Sequence, residues 1–283
     1  MNIPTGELFN TGNEDRRVHD CTNNVYDHLR WESMTGKDIY GQEYDDEAEV
    51  IFAGSQSFLG VPQMGRDNSN KNEVDVGILG APLDTATTGR PGTRYGPRAI
   101  RAAQMMPSPP IKHFNIETGV DPFETLSVAD FGDATVSPGD TRRSQENIKS
   151  AVSSVAETGV CPFVLGGDHS ITYANITGWA EANNYDSIGL IHFDCHADTE
   201  DTGVTGFEHD HGAHIKRLYD TGLLSGENYT LIGPRGYWPD SDVYTQMQEA
   251  GMKWVTAMEV SESDPIDIAE TSLQRAKSGT DAI

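Results

Sequence analysis

Short apolar runs separated by helix-length polar segments recur along the chain from Val74 onward. The runs are too short for helices, and we predict strands over residues 76–80, 162–165, 188–191, 229–233 and 254–256. Between and beside them we predict helices over residues 97–105, 147–157 and 171–183. Strands that alternate with helices are typical of a parallel sheet covered on both faces. The pattern predicts an α/β protein, a three-layer α/β/α sandwich with a mainly parallel central sheet.

The first quarter of the chain differs in composition from the rest. Residues 1–70 are polar and acidic, and we assign them to an N-terminal extension that carries the segment 52–62. Residues 71–283 contain all of the predicted strands and helices and form the α/β domain. A chain of 283 residues is long enough for one large core of this class.

Metal-binding side chains stand at every second position after the predicted strand 188–191, at Asp194, His196 and Asp198. In an extended segment these three side chains project to the same side. In open parallel sheets, ligands bind beyond the carboxyl ends of the strands. The spacing indicates a cation site, and the alternative is a polar strand end that only caps neighbouring loops.

A second polar cluster follows the predicted strand 162–165. Two glycines permit a sharp turn before His169 in the segment 166–170, and a crossover helix over 171–183 leads to the next strand. We expect His169 to lie on the same sheet as the 194–198 group and to join Asp194, His196 and Asp198 as a metal ligand. Alone, the turn is equally consistent with a tight loop that holds a hydrogen-bonded histidine.

The charge of the chain is strongly unbalanced. Asp and Glu number 44 against 20 Lys and Arg, for a formal net charge of −24. This balance excludes nucleic acid as a partner, because phosphate binding requires a basic surface. Salt-adapted proteins use such a surplus, so we expect a halophilic protein, with an acidic protein of ordinary salt tolerance as the alternative.

Cysteine usage and the N-terminal residues predict a cytoplasmic location. The chain has three cysteines and no C-x-x-C spacing, which suits a reducing compartment. The first ten residues lack the basic and apolar regions of a secretory signal. No apolar run approaches the roughly 20 residues needed to span a bilayer, so we expect no membrane partner.

Four segments together resemble the ureohydrolases, the family of arginase and agmatinase. They are residues 165–170, 192–198, 89–101 and 52–62. The last two are more similar to the agmatinase-like branch than to arginases. The resemblance covers roughly residues 50–283 and implies an arginase-like fold.

The resemblance also implies a role for each of the clustered residues. It implies two manganese ions, with nickel as an alternative, that share one bridging hydroxide. His169 and Asp198 are expected to bind the first ion, His196 the second, and Asp194 both, while Asp198 also orients the hydroxide. His211, followed by Gly212, matches the histidine that passes a proton to the leaving amine. His209 and His214 are expected to be spectators or loop residues. The alternatives are that His211 is a solvent-exposed loop histidine, or that the three histidines form an adventitious metal site.

The reaction implied is hydrolysis of a small guanidino compound, agmatine-like, to urea and an amine. Guanidinobutyrate and free guanidine are alternative substrates. Two other classes stay open: a non-catalytic paralogue or subunit, and a zinc-dependent amidase or deacetylase on a related sheet. The resemblance further implies a homo-oligomer, either a trimer or a hexamer.

One motif of the family is not in this sequence. The family completes its metal pair with a Ser-x-Asp-x-Asp-x-x-Asp-Pro segment on a later strand, and the chain contains none. Asp264 and Pro265 predict the start of a helix that closes near Gly279. A strand normally follows such a helix, so we expect the chain to be a fragment whose C-terminal part is missing, or else a shortened, inactive homologue.

Three arginines near the glycines of segment 89–101 are assigned to structure. We expect Arg90, Arg94 and Arg98 to hold their loop through carboxylates and carbonyls rather than to bind substrate. We expect Phe58 and Trp238 to pack in the core, and the alternative for each is a place in the lining of the pocket.

Overall fold

The computed structural model describes residues 56–68, 70–103, 114–203 and 206–283. Within them six strands form two three-stranded parallel sheets, with orders β2-β1-β3 and β4-β5-β6. The strands are β1 Val76–Ala81, β2 Val128–Asp133, β3 Cys161–Gly166, β4 Ile188–Phe193, β5 Leu224–Ile232 and β6 Lys253–Val255.

Strand β1 lies between β2 and β3 in the first sheet, and nearly all of it is buried. It pairs with β3 in register from Val76 opposite Cys161 to Ala81 opposite Gly166. Its Leu79 belongs to an apolar cluster that includes Ile148 and Val152, all fully buried. A strand that is buried on both faces accounts for the continuous apolar run seen in the sequence.

Strand β5 is central to the second sheet and lies between β4 and β6. Its apolar cluster includes Leu231 and the fully buried Ile215 and Leu218. On the other edge of β4, Ala282 forms a parallel bridge with Ile188. The last residues therefore lie alongside β4.

In the described residues, eight α-helices connect and cover the strands. They are α1 Gly96–Ala102, α2 Pro122–Thr125, α3 Thr141–Ala156, α4 Ile171–Asn183, α5 His214–Asp220, α6 Ser241–Glu249, α7 Ala257–Glu262 and α8 Pro265–Lys277. Polar residues begin several of them: the side chain of Asp140 accepts from Arg143 N, and that of Asp264 accepts from Ile266 N. These N-caps satisfy backbone donors that a helix leaves free.

The predicted class is confirmed, since parallel strands alternate with flanking helices. One detail differs: β3 and β4 lie in separate three-stranded sheets of the described residues, not in one. The expected extension of β4 through Asp198 is wrong as well, because the strand ends at Phe193 and Asp198 has φ +53°. The carboxyl ends of β3 and β4 nevertheless lie close together.

Arginines near β1 and β2 hold the structure, in part as expected. Arg94 pairs with Asp84, whose carboxylate also accepts from Gly92 N. Arg101, which the sequence did not single out, is buried and pairs with Asp130 and Asp133. Arg98 is exposed on α1.

Some expectations fall outside what the structure describes. The assignment of residues 1–70 to an extension lies mostly there, because residues 1–55 are outside the described residues. Phe58 packs beside the apolar cluster of Ile78 and Leu165, as expected. Among the described residues, no helix has both the length and the apolar character that crossing a bilayer requires.

Candidate metal centre

The first half of the site is the turn after β3. Gly167 is required there, because a Cβ at this position would lie 2.1 Å from Leu83 O. The carboxylate of Asp168 accepts hydrogen bonds from Ala86 N and Ser170 N, at 3.0 and 2.9 Å. Asp168 thus fixes the turn, and His169 is presented at the carboxyl end of the strand.

The second half is the segment that follows β4. Asp194 Oδ2 lies 3.1 Å from His169 Nδ1, and Asp198 Oδ2 lies 2.9 Å from the same atom. Ile215 N donates to Asp198 O at 3.2 Å, which ties this loop to α5. Three of the four predicted metal ligands therefore meet around one imidazole.

His196, the fourth predicted ligand, does not join that group. It is exposed, and its ring lies beside Cys195 Sγ at 3.3 Å. Its backbone N–H donates to Asp194 Oδ1. Asp194, Cys195 and His196 form a second set of possible metal ligands next to the first. The two-residue spacing does not place all the ligands on one side, because the strand ends before Asp194.

Two further histidines complete the first group, and neither was expected as a ligand beside His169 and Asp198. His192 and His214 have ligand atoms that lie, with those of His169 and Asp198, within 4.8 Å of one another. His192 lies in β4, two residues before Asp194, so the two-residue spacing of the candidate ligands extends back to it. His214, expected to be a spectator, is fully buried at the start of α5. No spacing rule signals it.

The electrostatics of the group are those of a cation site. Burial alone lowers the pKa of His169, but its hydrogen bonds to Asp194 and Asp198 outweigh burial and raise that pKa to about 9. Burial, then the charges of Asp210 and Asp198, raise the pKa of Glu200. A raised carboxyl pKa beside other carboxylates reports excess negative charge.

His211 lies beside this group rather than in it. Its Nε2 is 3.1 Å from Thr88 Oγ1 and 3.8 Å from Asp210 Oδ1. Its side chain is one-third exposed, at 33%. A histidine placed between a hydroxyl and a carboxylate can pass a proton to a substrate.

The residues present fit one or more divalent ions. Imidazole nitrogens and carboxylate oxygens are ligands that manganese, zinc, nickel and related ions accept. Among the described residues, His192 Nε2 and His214 Nε2 are buried without a hydrogen-bond partner. Buried polar atoms are normally paired, so an ion at this point accounts for both nitrogens.

A cavity of about 340 Å³ adjoins the site at the carboxyl end of the second sheet. Arg235 lines it together with Tyr237, Trp238 and Trp254. The cavity is next to the second ligand set, since Arg235 N donates to Cys195 O at 3.1 Å. Trp238 is 48% exposed, so its expected place in the core is wrong.

Comparison with known proteins identifies the family. The profile of the Arginase family matches residues 74–283, and the chain belongs to that family. The mitochondrial agmatinase of Gallus gallus is 37% identical over 186 residues, which cover 66% of this chain and 53% of that protein. The mitochondrial guanidino acid hydrolase of Homo sapiens is 38% identical over 184 residues, 65% of this chain and 50% of that protein. The chain spans about half the length of these curated relatives.

A solved structure supports the same assignment. The proclavaminate amidinohydrolase of Streptomyces clavuligerus superposes with a TM-score of 0.69 at 28% identity, and the match covers 80% of this chain and 72% of that one. The predicted arginase-like α/β sandwich is confirmed by this likeness.

Proposed function

We propose that the protein hydrolyses a small guanidino compound to urea and an amine with divalent ions held at the ends of β3 and β4. One observation carries the proposal: two sequence segments converge so that His169 Nδ1 lies 3.1 Å from Asp194 and 2.9 Å from Asp198. Membership of the arginase family supports the same reading.

The proposal assigns a role to each residue of the site. His169, Asp194, His196 and Asp198 hold the ions. A divalent ion bound there would lower the pKa of water to near neutrality and so supply the nucleophile that a resonance-stabilised guanidinium carbon requires. Asp198 orients the attacking water, and His211 passes a proton to the leaving amine. The partly exposed His211 ring and its Thr88 hydrogen bond suit a group that exchanges protons.

Agmatine-like substrates are the first candidate class, in keeping with the relative from Gallus gallus. Guanidino acids such as guanidinobutyrate are the second, and one observation favours them. Arg235 lines the cavity beside the site with aromatic residues, and a guanidinium there attracts a substrate carboxylate and repels a substrate ammonium. Free guanidine has no carboxylate for Arg235 to bind.

Further parts of the proposal rest on the sequence. The family resemblance supports manganese as the metal, with nickel as the alternative, and imidazole together with carboxylate ligands suits manganese. We also propose a homo-oligomer, trimer or hexamer, in a salt-rich cytoplasm. A non-catalytic subunit is the remaining alternative to an enzyme.

A urea-release screen tests the proposal. The complete gene product, loaded with manganese or nickel, is assayed with agmatine, guanidinobutyrate, guanidine and arginine. We expect urea from at least one of the first three. Metal-loaded protein that releases no urea from any of them, but binds a catalytically active relative, would establish the subunit role instead. Release of acetate or ammonia from amides in place of urea would point to an amidase.

A further inference from the structure

His214 is buried in a way that a spectator histidine does not explain. Its side chain has no solvent exposure, and within the described part of the chain its Nε2 has no hydrogen-bond partner. The ring centroid lies 4.0 Å from that of His169, and Nε2 points to Asp198, 3.8 Å from Oδ2. An unpaired nitrogen is thus aimed into the ligand group.

The other ring nitrogen fixes the tautomer. His214 Nδ1 lies 3.0 Å from the backbone oxygen of His211, and a carbonyl oxygen only accepts, so Nδ1 carries the hydrogen. The neutral ring then has a lone pair on Nε2. A ligating histidine typically donates its second N–H to a carbonyl or carboxylate in this manner, which orients the ring.

The lone pair therefore faces a carboxylate, and two acceptors repel one another unless a cation lies between them. Two metal bonds of about 2.1 Å that meet at a tetrahedral angle separate their ligand atoms by about 3.4 Å. The observed separation of 3.8 Å between His214 Nε2 and Asp198 Oδ2 is close to that value. A small movement of either side chain completes the geometry.

The two ring nitrogens of His192, on strand β4, are arranged like those of His214. Its Nδ1 lies 2.8 Å from the hydroxyl of the buried Tyr229, and its Nε2 is also buried without a hydrogen-bond partner in the described residues. Strand β4 and helix α5 thus each supply one free imidazole nitrogen to the group that contains His169 and Asp198.

We propose that His192 and His214 bind a divalent ion directly through Nε2, together with His169 and Asp198. This set of three imidazoles and one carboxylate selects zinc-like ions over the manganese that the family resemblance supports. Imidazole ligands suit zinc, nickel and copper, whereas oxygen-rich sites suit manganese. The inference rests on the proposed function only in placing a metal at this group; it does not require turnover.

X-ray absorption at the zinc edge tests the ligand count directly. The metal-free protein receives one equivalent of zinc, and the outer-shell scattering gives the number of imidazoles on the ion. We expect three in the natural protein, two after His214→Leu and three after His209→Leu, the matched control in the preceding loop. Fewer than three in the natural protein, or the same number after His214→Leu, overturns the proposal.

Competition between metals gives a second readout. His214→Leu is expected to weaken zinc binding by at least about 10-fold while manganese binding changes less. Equal losses for both metals, or none, contradict the proposed selectivity. Should His214→Leu not fold, His192→Gln replaces it, with the same expected loss of one imidazole.

Urea release separates this inference from the proposed function. Urea release together with an unchanged ligand count in the variant refutes the inference alone. A lost imidazole in a protein that never releases urea refutes the function alone.

Discussion

Two clusters of charged and polar side chains lie near strand ends, and they differ in how completely their atoms are paired. In the arginine cluster, between β2 and α1, all three guanidinium nitrogens of Arg101 donate to Asp130, Asp133 or Gly132 O. Asp130 also accepts from the backbone N–H groups of Phe58 and Gly132. Every nitrogen of the Arg101 guanidinium group therefore has a hydrogen-bond partner.

The metal-ligand cluster at the ends of β3 and β4 is different. Two carboxylates compete for one His169 nitrogen, and the Nε2 atoms of His192 and His214 have no hydrogen-bond partner among the described residues. Since buried polar groups normally find partners, incomplete pairing sets the metal-ligand cluster apart from the arginine cluster.

The largest effect is expected from Asp198→Asn in the metal-ligand cluster. Loss of this carboxylate removes a ligand, and we expect metal affinity to fall by more than about 100-fold and urea release to reach background. Metal content after dialysis measures the first effect. Asp201→Asn is the control, since Asp201 is largely exposed on the same loop. Equal metal retention by both variants contradicts the assignment.

His211→Asn separates proton transfer from metal binding beside the metal-ligand cluster. We expect turnover to fall by about 10²–10⁴-fold, the usual contribution of general acid–base catalysis, with metal content unchanged. His209→Asn serves as the control and is expected to keep its turnover. If His211→Asn loses metal in step with activity, His211 holds the site together rather than moving protons.

Arg101→Leu tests the arginine cluster. Removing one partner of a buried ion pair leaves an uncompensated charge on Asp130 and typically costs about 3–5 kcal/mol. Chemical denaturation should show a loss of this size, with metal content per folded molecule unchanged. Arg98→Leu on the same helix is exposed and should change stability by less than about 0.5 kcal/mol. A small effect at Arg101 accompanied by metal loss would reverse the roles of the two clusters.

The smallest effect is expected from Arg142→Ala. Its ion pair with Glu208, at 3.1 Å, has both side chains more than half exposed, and exposed pairs contribute about 0–1 kcal/mol. Denaturation midpoints should barely differ. A loss above about 2 kcal/mol would show that exposed pairs in this acidic chain behave unlike exposed pairs elsewhere.

Much of the fold follows from the sequence because buried strands leave continuous apolar runs. Helix α4 has the predicted bounds, and β1 is one residue longer than predicted. The start of β5 was missed, since residues 224–228 include Ser225, Glu227 and Asn228 and are not uniformly apolar. Helix α3 begins six residues early because the Asp140 cap was not recognised.

The sequence predicted most residues of the candidate site but not their spatial arrangement. Motif spacing identified His169, Asp194 and Asp198, which meet. It also placed His196 among them, but His196 lies with Asp194 in the second ligand set, because β4 ends at Phe193. His214 enters the group through the packing of α5 against the strand ends, and tertiary packing has no local signal. The metal-binding roles themselves stay predictions.

A crystal structure of the metal-loaded protein, with anomalous diffraction measured at the edge of the metal, tests the central claim most directly. The account predicts an ion between the ends of β3 and β4, bonded at about 2 Å to His169 and Asp198. The contradicting result is an ion elsewhere, or none, with His169 still hydrogen-bonded to both carboxylates.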